Sequence, residues 1–238
     1  NQSPYTYIAY SFSTGGAATV SNTEGTITSS VNASVKNGFS ICTYTGNGTI
    51  GATYGHGLNT APELVITKRR NANISWVVTG TVLGANKFMQ LNNTLDVATI
   101  VNTPIPSNSV ITLGNDTGVN ASSATYVSYC FHSVAGKSKI GTYTGNDSTN
   151  GPFISLGFRP AFLMIKRVDD NDPWMVFDSA RDTSNPRTTA LRMDDNDEEY
   201  TFSGGVDFYD ASFKIKAAHA DINGEESVYL YLAIAEES

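Results

Sequence analysis

Apolar and polar residues alternate with a period of two along most of the chain, and the alternating runs are cut by Gly, Asn and Pro. That pattern predicts β-strands joined by tight turns rather than amphipathic helices. Val127-Ser128-Tyr129-Cys130-Phe131 and Ser75-Trp76-Val77-Val78-Thr79 are such runs, and Gly46-Asn47-Gly48 and Gly145-Asn146-Asp147 are turns that suit positive φ. A residue ahead of proline is pushed toward extended backbone, so the segments after Pro62 and Pro160 read as strands. Leu64-Val65-Ile66 and Phe162-Leu163-Met164-Ile165 are apolar without interruption, which predicts burial on both faces. Only the charged stretch Ser179-Ala180-Arg181-Asp182-Thr183-Ser184-Asn185-Pro186-Arg187 is predicted to hold a helical turn.

The strand pattern occurs twice. Ile41-Cys42-Thr43-Tyr44-Thr45-Gly46-Asn47 returns as Ile140-Gly141-Thr142-Tyr143-Thr144-Gly145-Asn146, and Pro62 through Arg69 returns as Pro160 through Arg167. Trp76-Val77-Val78 then matches Trp174-Met175-Val176, and Val119-Asn120 ahead of Tyr126 matches Ile222-Asn223 ahead of Tyr229. Order and spacing are both kept, which predicts an internal duplication. Tyr5 through Phe12 resembles the closing run Ala124 through Phe131. The chain also opens on Asn1-Gln2-Ser3-Pro4 without Met, so the expectation is a piece of a longer array with a repeat upstream.

A unit of roughly 100 residues with about seven short strands has the size of a β-sandwich. The expected fold is all-β: two tandem β-sandwich domains from an internal duplication, preceded by a strand and linker. The expected boundaries are 38–136 and 137–238, with 1–37 holding the closing strand of a preceding repeat plus a linker or hairpin. Within that leader, residues 13–37 lack aromatic side chains, but Ala18-Thr19-Val20 and Thr26-Ile27-Thr28 flank a turn at Asn22-Thr23-Glu24-Gly25, which predicts a hairpin or edge strand. Trp76 and Trp174, at equivalent places, are expected in a sheet-on-sheet core rather than on a sugar-stacking surface.

Composition supports strands and excludes some partners. Charged residues make up 16% of the chain and are replaced by Thr, Ser, Asn and Gly. The net charge of −7 argues against nucleic acid, because phosphate neutralisation needs a basic excess. No apolar run reaches the roughly 18 residues that would span a bilayer as a helix, so no membrane insertion is expected. Cys42 and Cys130 are too few for a disulfide framework and are expected as buried thiols, with a single bridge as the alternative. Sequons such as Asn47-Gly48-Thr49 and Asn73-Ile74-Ser75 are close to chance in so Asn- and Thr-rich a chain.

Candidate chemistry is sparse. His56, His132 and His219 lack zinc-ligand spacing, and Leu156 and Ala235 stand near the places of the first two in the second copy, so surface or turn roles are expected. No Gly-x-Ser-x-Gly elbow is present. Two facing carboxylates would suffice for a glycosidase, which keeps a polysaccharide depolymerase as the enzymatic alternative. Two acidic clusters, Asp169-Asp170-Asn171-Asp172 and Asp194-Asp195-Asn196-Asp197-Glu198-Glu199, are read mainly as solvated turns, with Ca²⁺ or polar-ligand binding as the alternative. No other cofactor is expected. Loops peculiar to the second copy are where binding specificity would vary, so Asp170, Asp172, Arg181, Arg187, Asp194 and Asp195 are the candidate binding residues.

The ordered motifs resemble a repeated domain found in tail-fibre and other virion proteins of marine bacteriophages. The residues that carry the resemblance are Gly38-Phe39-Ser40-Ile41, Thr43 through Gly48, Gly55-His56-Gly57-Leu58, Ala61 through Ile66 and Val119 through Phe131 in the first copy. Gly157 through Phe162 and Ile165-Lys166-Arg167 carry it in the second. It spans about residues 19–236. The resemblance implies a non-catalytic structural or host-recognition module at the virion surface, with other virion proteins and a host-surface glycan or protein receptor as partners. It also implies self-association, a homotrimer being the form favoured for fibres, although no coiled-coil heptads enforce one. A capsid or tail decoration protein is the structural alternative, and a bacterial surface adhesin is a further one.

Overall fold

The computed structural model describes residues 8–16, 18–99 and 104–236, and all statements of structure concern these. The first half contributes β1 (Val20–Asn22), β2 (Ser29–Ser34), β3 (Phe39–Thr45), β4 (Thr53–Gly55), β5 (Leu64–Arg69), β6 (Val77–Thr79), β7 (Lys87–Gln90), β8 (Ala98–Thr99), β9 (Ile105–Pro106), β10 (Val110–Thr112) and β11 (Thr125–Phe131). The second contributes β12 (Ser138–Thr144), β13 (Phe153–Ser155), β14 (Pro160–Arg167), β15 (Met175–Asp178), β16 (Arg187–Arg192), β17 (Tyr200–Tyr209), β18 (Ser212–Ile215), α1 (Ala220–Asn223) and β19 (Val228–Ala235). The fold is all-β and antiparallel, as the alternation predicts.

Sheet order in the first half is β1-β2-β3-β11-β5-β6-β7-β8, and in the second β12-β19-β14-β15-β16-β17-β18-β13. A small sheet β4-β10-β9 covers one face of the first. The two halves agree in register as well as order. Tyr126 lies opposite Tyr44 and Arg69, and Tyr229 lies opposite Tyr143 and Arg167. In each half the closing strand is an interior strand, β11 between β3 and β5 and β19 between β12 and β14. In the second half β17 bends at Gly204 and Gly205, both at positive φ, so its far end leaves the inner sheet and joins the outer layer. A Cβ on Gly205 would stand 1.8 Å from the Arg187 carbonyl oxygen, so only glycine allows this crossing.

Three cores separate four layers. Between β4-β10 and the first inner sheet lie Cys42, Tyr44, Tyr54, Val65, Ile111, Tyr126 and Cys130. Between the second inner sheet and its outer layer lie Leu163, Ile165, Phe177, Phe208, Phe213 and Tyr229. The third core joins the halves: Phe39, Leu64, Ile66 and Val78 meet Phe162, Met164, Trp174, Leu230 and Leu232. Alternate residues of β5, β11, β14 and β19 thus enter different cores, which is why these strands are apolar throughout. Each sandwich keeps its own core, and the two pack back to back on a third that they share. Cys42 and Cys130 are buried free thiols.

The leader behaves differently from the expectation. Residues 1–7 of the proposed closing strand lie outside the described residues, and residues 8–12 carry no strand. Tyr10 and Phe12 instead cap the rim of the shared core: the Tyr10 ring is 5.1 Å from Phe162, and Phe12 lies 5.6 Å from Phe131 and 5.8 Å from Phe39. A hairpin does form in the leader as β1–β2, with Val20 opposite Val31, but its second strand is Ser29–Ser34 rather than the predicted Thr26-Ile27-Thr28, whose Ile27 bridges Tyr54 of β4; β2 adds to the edge of β3. No helix forms over Ser179–Arg187. The helical turn is α1, where the His219 side chain accepts a hydrogen bond from the Asp221 N–H. Asp116 plays the corresponding part in the first half, its carboxylate accepting from the Gly118 N–H.

Behind each of these turns a buried asparagine ties three segments together. Asn120 donates to the Gly114 and Thr49 carbonyls at 2.7 and 2.9 Å and accepts from the Asn47 N–H at 3.0 Å. Asn223 donates to the Ala217 and Ser148 carbonyls at 2.9 and 2.8 Å and accepts from the Asn146 N–H at 3.0 Å.

Candidate functional site

The charged loops of the second half gather around the ends of β14, β15 and β16. β14 ends on Lys166 and Arg167, whose side chains leave on opposite faces of the strand. Arg167 reaches all three carboxylates of the first acidic loop: Asp169 at 2.9 Å, Asp172 at 3.1 Å and Asp170 at 3.4 Å. These contacts hold its guanidinium above the usual range against an opposing effect of burial. Asp169 also accepts from the Val228 N–H, which fastens the loop to β19.

Lys166 is buried, and its Nζ donates to the carbonyls of Arg167 at 2.7 Å, Thr94 at 3.1 Å and Asp170 at 3.3 Å. Thr94 belongs to the first half, so this ammonium group ties the two halves together. Burial pulls its pKa down to about 8, opposed by the carboxylates of Asp172, Asp194 and Asp96. An unfolded lysine titrates near 10.4, so between about pH 8 and 10.4 the unfolded chain holds a proton that the fold has released. Stability contributed by this group therefore rises with pH across that window. Wild type is expected to gain about 1–3 kcal/mol relative to Lys166→Met between pH 7.5 and roughly 10, measured by urea unfolding at each pH. A constant difference between the two proteins would contradict this.

The second acidic loop is also tied down. Asp194 accepts from the Trp174 N–H at 2.7 Å, and burial raises its pKa. Asp195 and Asp197 each stand 3.8 Å from Arg192, whose guanidinium lies 4.8 Å from the centre of the Tyr200 ring. Tyr200 Oη is 2.9 Å from His219 Nε2. Because His219 Nδ1 accepts the Asp221 N–H, Nε2 carries the proton and donates to the tyrosine. Asp221 Oδ1 is 3.6 Å from Nδ1, and burial raises its pKa. The arrangement caps α1 and presents no nucleophile paired with a base.

Of the six candidates, Asp170, Asp172, Asp194 and Asp195 come together in these two loops. Arg181 lies elsewhere, paired with Asp178 at 2.5 Å and Glu199 at 2.7 Å, and Tyr10 donates to the same Asp178 at 2.8 Å. Arg181 thus fastens the leader to the second half. Arg187 is 1% exposed, lies 4.1 Å above the Phe208 ring, and hydrogen-bonds Asn185, so it is part of the scaffold and faces no ligand. Lys166 and Arg167 organise the loops, yet the sequence reading left them out. The signal was a pair of cations closing an apolar run.

Among the described residues no group of three His, Cys, Asp or Glu side chains is placed to hold a metal ion. Of the surface or turn role expected for it, His56 takes the turn: it follows β4, is fully buried with its Nε2 3.0 Å from the Ser107 carbonyl, and burial lowers its pKa. Trp174 is fully buried and donates to the Gln90 carbonyl of the other half at 2.9 Å, while Trp76 is half-buried and stacks on Tyr129.

No curated protein and no solved structure matches the chain. One family model covers residues 1–238, both halves together, and the chain belongs to that family, the domain of unknown function DUF7483.

Proposed function

We propose that the domain is a structural and host-recognition module of a bacteriophage tail fibre or another virion appendage, carried on the particle surface. The observation that carries this reading is the contrast between the halves: their inner sheets share strand order and register around β11 and β19, and only the second half mounts two acidic loops braced by Arg167, Lys166 and Arg192. A braced, charged rim on a four-layer scaffold suits reversible recognition of a polar surface group, a host glycan or protein. The reading takes no catalytic residue and no cofactor, assigns other virion proteins as neighbours and includes self-association, with a trimer as the fibre-like form.

Labelled protein is expected to bind host cells, and Asp170→Ala combined with Asp195→Ala is expected to weaken binding about fivefold, roughly 1 kcal/mol, at unchanged melting temperature. An EDTA arm reads whether Ca²⁺ at the loops contributes. Binding to purified phage particles but not to cells would instead support the decoration reading. Release of reducing ends from host glycan would support a depolymerase.

A further inference from the structure

We infer that the outer edge of β12 is an assembly surface that pairs antiparallel with β12 of a second copy of this chain. The inference goes beyond the fibre reading and does not depend on it.

Comparison of the halves reveals the edge. In the first, β3 has neighbours on both sides: β11 on one, and β2 of the leader hairpin on the other, with Asn32 opposite Ile41 and Ser30 opposite Thr43. In the second, among the described residues β12 has only β19. The six residues between β11 and β12 fold as a tight turn in which Val134 and Ser138 exchange backbone hydrogen bonds, leaving no room there for a second hairpin. The strand that corresponds to a covered one is therefore bare among the described residues.

Its free groups can be identified. Gly145 N–H donates to Ser227, and Ala235 N–H donates to Lys137, so the odd-numbered residues of β12 direct their backbone groups to β19. Ile140, Thr142 and Thr144 direct theirs outward. The Ile140 N–H is satisfied by the Ser133 hydroxyl at 3.0 Å. The outward donors that remain are Thr142 and Thr144, and the acceptors include Ile140 and Thr142. Thr142 and Thr144 are exposed, and Lys139, the residue that could shield this edge, is drawn across the sheet to the Ser155 carbonyl at 2.7 Å.

This pattern is complementary to itself. With a two-fold axis at Thr142, the two Thr142 residues exchange both backbone hydrogen bonds, and each Thr144 N–H meets the Ile140 carbonyl of the other copy. Because Ser133 takes the Ile140 N–H, each flanking pair keeps only its Thr144-to-Ile140 bond and the Thr144 carbonyl stays outside the ladder. Threonine faces threonine across the axis, a favourable cross-strand pair. The contact closes after two copies, as isologous interfaces do, and it fuses the two inner sheets into one.

The test is the mass in solution from about 1 to 200 µM, by light scattering behind a sizing column, joined to hydrogen exchange at Thr142 and Thr144. A particle of twice the 25.4 kDa chain mass is expected. Thr142→Pro removes an outward N–H without touching the ladder to β19 and should return the monomer, whereas Thr142→Val keeps the N–H and should stay dimeric. Should the proline variant fail to fold, wild-type exchange decides alone: both amides must be slowed at high concentration and released on dilution. A monomer throughout overturns the inference. A trimer indifferent to Thr142→Pro, with a freely exchanging Thr144 amide, also overturns it while leaving self-association in a fibre intact.

Discussion

Asn223→Ala is expected to lower the free energy of unfolding by about 3 kcal/mol, and Asn120→Ala by a similar amount. Each side chain is fully buried and holds two carbonyl oxygens and one amide N–H, of which the Gly114 and Ala217 carbonyls are themselves buried. Truncation breaks all three bonds and leaves the buried carbonyl unsatisfied, at roughly 1 kcal/mol apiece. Asparagine to aspartate keeps the shape but turns a carboxylate oxygen toward two carbonyls, so it should cost at least as much. Urea unfolding followed by tryptophan fluorescence measures both, and a loss under about 1 kcal/mol at either site would mean that the asparagine does not tie its half together.

Trp174→Ala is expected to cost about 4 kcal/mol, and the matching Trp76→Ala about half that. The positions correspond in sequence, but their surroundings do not. Trp174 is fully enclosed in the core between the halves, and its indole N–H reaches Gln90. Trp76 packs against the same core from its border and keeps one face toward Lys68 and solvent. Equal losses in the two variants would contradict the back-to-back packing, because only that packing makes two equivalent tryptophans unequal.

The strands, the hairpin and the agreement between the halves are readable from local pattern, since alternation, turn residues and the proline before β5 and β14 act over a few residues. The packing of the halves is not. Leu64-Val65-Ile66 indicates burial on both faces, but it does not say whether the second cover is another layer of the same half or the other half. Tyr10 and Phe12 match a closing strand residue by residue, yet in the structure they cap the rim of the shared core. At the loops, composition identified the acidic residues, whereas the ordering of Asp169, Asp170 and Asp172 around one arginine emerges only when β14 is placed. The sequence offered Arg187 because its loop is peculiar to the second half, but the Phe208 ring of β17 folds over it and leaves it buried.

The closing strand of each half lies between two strands made earlier, β11 between β3 and β5 with Phe131 between Phe39 and Leu64, and β19 between β12 and β14. During synthesis, β3 and β5 leave the ribosome well before β11, and at 5–20 residues per second that interval is on the order of ten seconds. Throughout it the nascent chain holds two partial sheets with unpaired inner edges, and long-range closure of this kind is slow once it becomes available. Each half completes its sheet only when its last strand is made, and a ribosome stalled ahead of Thr125 would hold β3 and β5 with nothing to join them.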